Sequence, residues 1–156
     1  MPLLIRIPGS DWTGHKPEVR AFDINQCVEL AKALSAPDLG VDFLDVTSGG
    51  LLAEQKITSG PNYQAPFSAA VKKAVEGTGV KVGVVGMVKE GLQAEELLQK
   101  GVADVVLAGR GFQKNTALVW LWADELGVEL RLANQIGWGF GQRLSGGMKG
   151  EQAGKP

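Results

Sequence analysis

The stretch DVVLAGRGFQKN, residues 104–115, decides how the rest of the chain is read. Val105-Val106-Leu107-Ala108 is a continuous apolar run, which reads as a strand buried on both faces because it does not alternate apolar with polar. It runs into Arg110, held between Gly109 and Gly111. Glycines on both sides let a backbone approach a bound group closely, and a guanidinium beside exposed N–H groups suits an anion such as phosphate. A plain strand-to-helix turn with a solvated arginine accounts for the same residues.

Working outward, the same pairing of a short apolar run with a longer amphipathic one recurs four times. LLIRI precedes INQCVELAKALS, VDFLDV precedes PFSAAVKKAVEG, VKVGVVGM precedes LQAEELLQKG, and ADVVLAG precedes TALVWLWADELG. The first member of each pair has strand length and β-branched content; the second has apolar residues three and four apart. Gly101 and Gly127 stand where helix C-terminal caps are expected. Four successive β/α units predict an α/β fold with parallel strands, since each crossover returns the chain to the same end of the sheet. Residues 1–140 form that unit, and the glycine-rich, polar stretch 141–156 is expected to be a flexible tail.

Such units fit an open doubly wound sheet or part of a (β/α)8 TIM barrel. The barrel is favoured. Arg6, Ser48, Gly86 and the pair Gly109 and Arg110 all fall at strand C-terminal ends, and the last two loops are those that form the usual barrel phosphate site. Neither VVGM nor AGRG matches the dinucleotide fingerprint G-x-G-x-x-G. A full barrel takes about 250 residues. The chain's 156 residues therefore hold about half of one, its C-terminal half.

Composition narrows the partners little. With 16 basic and 17 acidic residues and a net charge of −1, nothing calls for nucleic acid or an anionic membrane. No apolar run is long enough to span a bilayer, and the opening MPLLIRIPGSDW lacks the features of a secretory signal, so a cytoplasmic location is expected. Cys27, within DINQCVELAKAL, reads as a small core residue rather than a nucleophile. His15, in DWTGHKPE, reads as a solvated loop histidine, and no metal-binding set is assigned.

Taken together and in order, GVDFLDVTSGG, GPNYQAPFSAAVK, VGVVGMV, AEELLQKGVADVVLAGRGF and LGVE resemble the C-terminal half of the old yellow enzyme family. These are FMN-dependent NAD(P)H:flavin oxidoreductases and ene reductases, and the resemblance covers roughly residues 3 to 140. It implies an eight-stranded barrel with FMN at its C-terminal mouth, this chain supplying strands five to eight. It further implies that hydride passes from NAD(P)H through FMN to an electron-poor alkene, a small-molecule substrate. Arg6 in LLIRIPGSDW matches the arginine near flavin N1 and the C2 carbonyl. There a fixed guanidinium stabilises the anionic reduced flavin. Gly86, Met87, Gly109 and Arg110 match positions that hold the FMN phosphate, and Ser48 falls where a loop passes near the flavin. Tyr63 and Gln64 are expected to edge the substrate pocket, with packing as the plainer role of Tyr63.

The departures from that family are as informative. Its substrate-binding histidine pair, its proton-donating tyrosine and the residues tuning the flavin belong to the N-terminal half, so no residue here is assigned a catalytic role. Some relatives donate an arginine to a neighbouring subunit near the C-terminus. Here the local sequence NQIGWGFGQR is dominated by Trp138 and Phe140, and Arg143 lies too far along for that role. Two further readings compete: a non-catalytic remnant that needs an N-terminal half or self-association, and a phosphate-binding half-barrel of the phosphosugar type. On the half-barrel reading, unpaired strand edges and inner-face residues such as Val46, Val84 and Val106 are expected to lack their opposing layer.

Overall fold

A computed structural model describes residues 1–133 and 135–140. The expected tail 141–156, with Arg143, lies outside the described residues. Strands β1 (Leu4–Pro8), β2 (Phe43–Thr47), β3 (Lys81–Val84) and β4 (Val105–Val106) form one all-parallel sheet in the order β1-β2-β3-β4. Helix α1 (Ile24–Leu34) follows β1, α2 (Ala65–Ala74) follows β2, and α3 (Gly91–Gln99) follows β3. After β4 come two helices instead of one, α4 (Gly109–Lys114) and α5 (Leu118–Leu126). The strand order never reverses, which is how a barrel is wound and not how a doubly wound sheet is. The architecture is compatible with half of a (β/α)8 barrel.

Local chemistry sets the helix ends. The Asp23 carboxylate accepts from the N–H groups of Asn25 and Gln26, and the Gln26 side chain accepts from the Asp23 N–H, a reciprocal capping box that starts α1. At the other end of the unit, Gly101 follows α3 with φ +68° and Gly127 closes α5 with φ +64°, the left-handed positions their sequence context predicted. Val102 N–H donates to the Leu97 carbonyl and Val128 N–H to that of Ala123, so both caps satisfy carbonyls the helix leaves open.

Parity along the strands divides the sheet into two unlike faces. On one, Ile5, Leu44 and Val82 stand in register, as do Ile7, Val46, Val84 and Val106. Leu44, Val46, Val82 and Val84 are wholly buried there, packed with Cys27 and Ala31 of α1, Val71 of α2, and Ala94 and Leu97 of α3. The expectation that Val46, Val84 and Val106 lack a covering layer is therefore overturned: they face the helices. The residues between them, Leu4, Arg6, Phe43, Asp45 and Val105, make the other face, which is open. Leu4 is 62% exposed and Val105 40%. Val105 thus departs from the reading of a strand buried on both faces, because its second face has no partner layer. What cover there is comes from the sheet itself: a Cβ on Gly83 would lie 2.6 Å from the Phe43 ring and 3.1 Å from Leu107, so both side chains lean over that glycine.

Two of the sequence expectations about single residues can be placed at once. Cys27 is fully buried, and burial pushes its thiol up to about 11, which makes it an inert core residue. His15 lies exposed in the loop after β1.

Candidate functional site

A cleft of about 680 Å³ opens at the C-terminal ends of β3 and β4, between the loop that follows β3 and the first turn of α4. Gly86, Met87, Gly109, Arg110, Tyr63 and Gln64 all line it, so six of the eight residues singled out from sequence converge. Its walls are completed by Val88, Leu107, Leu118 and Leu121, with Lys89 and Lys114 also lining it.

Backbone conformation is what opens the cleft. Gly86 has φ +125°, and a Cβ there would lie 2.9 Å from the Tyr63 ring and 3.1 Å from Gln64 Nε2. Only glycine fits. Met87 adopts φ +54°, a left-handed conformation uncommon for a side chain of its size. The N–H groups of Gly86, Met87, Gly109 and Arg110 donate to no other group among the described residues. Residues with unpaired N–H groups from two successive βα loops thus line one cleft, and groups of this kind cost free energy unless water or a ligand accepts from them.

Electrostatics point the same way. Among the described residues no carboxylate lines the cleft, whereas Lys89, Arg110 and Lys114 do, and none of the three forms an ion pair. Sequence reading found Arg110 from its flanking glycines but missed both lysines. Lys89 sits in VKEG and Lys114 in FQKN, contexts with no local signal; only the fold brings them to Arg110.

Ser48 and Arg6 lie apart from this cleft. Ser48 is buried and donates to Gln64 Oε1 at 2.7 Å, while Gln64 Nε2 donates to the Val85 carbonyl at 3.1 Å. The serine thereby fixes the glutamine that edges the cleft and braces the chain just before Gly86. Tyr63 combines lining with packing, its ring 6.4 Å from that of Trp12. Arg6 projects from the open face of the sheet, where its Nε and Nη2 both donate to Asp45 Oδ2 at 2.7 Å. The Arg6 side chain is 71% exposed. Asp45, its register partner on β2, has its Oδ1 buried without a partner.

No protein-family model matches the chain. A relative from Gibberella zeae named NADH:flavin oxidoreductase is 43% identical over 155 residues, covering 95% of this chain and 37% of the relative. An NADPH dehydrogenase from Geobacillus thermodenitrificans is 35% identical over 141 residues, 89% of this chain and 38% of its own length. A third relative, an NADPH dehydrogenase from Bacillus pumilus, is 34% identical over 125 residues, 80% and 34% of the two chains. The chain is a flavin-oxidoreductase homologue of the α/β class. It belongs to the old yellow enzyme family of NADH:flavin oxidoreductases and NADPH dehydrogenases, and it spans a little over a third of the length of these relatives.

Proposed function

We propose that this chain is the FMN-phosphate-binding portion of an NAD(P)H-dependent oxidoreductase, strands five to eight of a (β/α)8 barrel. The observation that carries the reading is the meeting of four unpaired N–H groups with Arg110 in a cleft that no carboxylate lines. A phosphate monoester is a dianion with several acceptor oxygens, and this donor set offers fixed dipoles plus a guanidinium for it. The glycine at position 86 admits it and the conformation of Met87 turns successive N–H groups toward it.

Bound FMN would supply hydride transfer from NAD(P)H to an electron-poor alkene. The chain's own contribution is binding and electrostatics. Gly86, Met87, Gly109 and Arg110 hold the phosphate; Gln64, fixed by Ser48, and Tyr63 edge the same cleft. Arg6 presents the free part of its guanidinium from the sheet's open face, oriented by Asp45, where positive charge favours the anionic reduced flavin. The family's proton-donating tyrosine belongs to its N-terminal half, and Tyr63 is assigned to edging the cleft and packing, so these 156 residues by themselves are proposed not to reduce enones at enzymatic rates; general acid catalysis typically contributes 10²- to 10⁴-fold. The open sheet face would be closed by a further half-barrel or a second copy. A cytoplasmic site accords with a nicotinamide reductant.

Titrating FMN and riboflavin into the purified chain, followed by flavin fluorescence, tests the reading. FMN is expected to bind more tightly than riboflavin, which lacks only the phosphate. Equal affinities, or no binding of FMN or of inorganic phosphate, would overturn it.

A further inference from the structure

The turn that carries Gly86 and Met87 at the edge of the cleft is conformationally unfavourable, and one side chain outside the sequence motifs holds it. Gln93 lies in the first turn of α3 and is half-buried. Its Nε2 donates to the Met87 carbonyl at 3.0 Å and to Asn62 Oδ1 at 2.6 Å, while its Oε1 accepts from the Lys89 N–H at 2.9 Å. Asn62, like Met87, is a non-glycine residue with positive φ, at +60°, and its own N–H donates to the Gly86 carbonyl at 3.1 Å. Two left-handed residues from different loops are thus tied to each other through one amide.

We infer that Gln93 is a positioning residue for the anion site: it clamps the loop after β3 to Asn62 and so keeps the Gly86 and Met87 N–H groups pointed at the bound phosphate. This rests on the reading of the cleft as a phosphate site. The physical reason is that a primary amide can donate twice and accept once in fixed directions. Here both donor directions and the acceptor are used, so the two successive peptides after Met87 are each held, one at the Met87 carbonyl and the next at the Lys89 N–H. Non-glycine residues with positive φ persist only where the surroundings over-determine them. Without the clamp, Met87 is free to relax toward negative φ, and the loop that carries the Gly86 and Met87 N–H groups loosens. The clamp touches no ligand itself.

The same arrangement explains why the helix start is so firmly seated. Gly91 N–H donates to the Glu125 carboxylate, and a Cβ on Gly91 would lie 2.9 Å from the backbone of Trp122. Helix α3 is therefore anchored to α5 independently of Gln93, and removing the amide loosens the turn without freeing the helix.

The test compares the whole chain with Gln93→Met, which keeps the length of the side chain and removes all three hydrogen bonds, and with Asn62→Gly, which removes the Oδ1 acceptor while tolerating positive φ. Inorganic phosphate and FMN are titrated calorimetrically, riboflavin is titrated alongside, and thermal unfolding is recorded. Gln93→Met is expected to bind phosphate and FMN about tenfold more weakly, the size of losing one or two aligned donors to a charged group, with riboflavin affinity and cooperative unfolding retained. Asn62→Gly is expected to lose affinity in the same direction by a smaller factor, and it reports on the clamp should Gln93→Met fail to fold. Phosphate affinity unchanged in either folded variant, or an equal loss toward riboflavin and FMN, overturns the role of Gln93 alone. Absence of phosphate binding in the unsubstituted chain overturns the site and this inference together.

Discussion

Arg110 and Arg6 occupy unlike surroundings, and that separates what their loss does. Arg110 lines the cleft with no ionic partner among the described residues, which leaves its charge available to a bound phosphate. Arg6 already donates twice to Asp45. Arg110→Ala is therefore expected to weaken FMN binding by about 2 kcal/mol, as for a hydrogen bond to a charged group. Arg6→Ala should cost less affinity and should instead lower the reduction potential of bound flavin, because charge at that end develops on reduction. FMN titration and a spectroelectrochemical potential for each variant check this; equal losses of affinity and no change in potential would refute it. Gly86→Ala is harsher. The new methyl meets the Tyr63 ring and sits at a φ that side chains rarely adopt, so about 1 to 3 kcal/mol of stability should go with the phosphate affinity, readable in urea unfolding and the same titration.

The units are joined at the sheet's N-terminal end by Asp104, just before β4. Its Oδ2 accepts from the Val82 N–H of β3 at 3.0 Å, and its Oδ1 lies 3.0 Å from Lys72 Nζ of α2 and 3.8 Å from Lys81 Nζ. Burial acts to raise the Asp104 pKa, but the Val82 N–H and the two lysines together outweigh it and hold the carboxyl below the usual aspartate range. A carboxylate whose folded pKa is depressed contributes stability that is present above its unfolded pKa and lost as pH falls through the folded one. Asp104→Asn is thus expected to be less stable by about 1 kcal/mol at neutral pH, the partly exposed ion pairs being weak, and to converge on the unsubstituted chain in strong acid. Urea unfolding at neutral and acid pH gives the comparison; a constant difference across the range would contradict it.

On the scale of the molecule, the two faces of the sheet differ in kind. One is sealed by α1, α2 and α3, and the other leaves Leu4 and Val105 to solvent beside the Arg6–Asp45 pair. Both edge strands, β1 and β4, have one side unpaired within this sheet. An open apolar face with unpaired edges favours association. Light scattering on the chain is expected to show mass rising with concentration, and Leu4→Lys with Val105→Lys to suppress it. A monomer at all concentrations would show that the exposed face is too small to drive pairing. Among the described residues no helix is long and apolar enough to cross a membrane.

The order of elements, the parallel sense of the strands and the glycine caps at 101 and 127 were legible in the sequence, and six of the eight residues it singled out line one cleft. They depend on local physics: strand and helix periodicity, left-handed glycines, and a βα loop's habit of placing its residues at the strand's C-terminal end. Which face of each strand meets the helices was not legible. Val46 and Val84 are as apolar as the inner-face residues of a barrel are, so parity alone could not assign them, and only packing against Cys27, Ala31, Val71 and Leu97 does. The extra helix after β4, α4, with Gly109 and Arg110 in its first turn, was likewise set by tertiary context. So were the two lysines of the cleft, the pairing of Arg6 with Asp45, the bracing of Gln64 by Ser48 and the clamp made by Gln93. The lysines, the Arg6–Asp45 pair and the Gln93–Asn62 contact join different β/α units that only the sheet sets side by side, and Ser48 meets Gln64 across a long loop; none of these separations carries a periodicity.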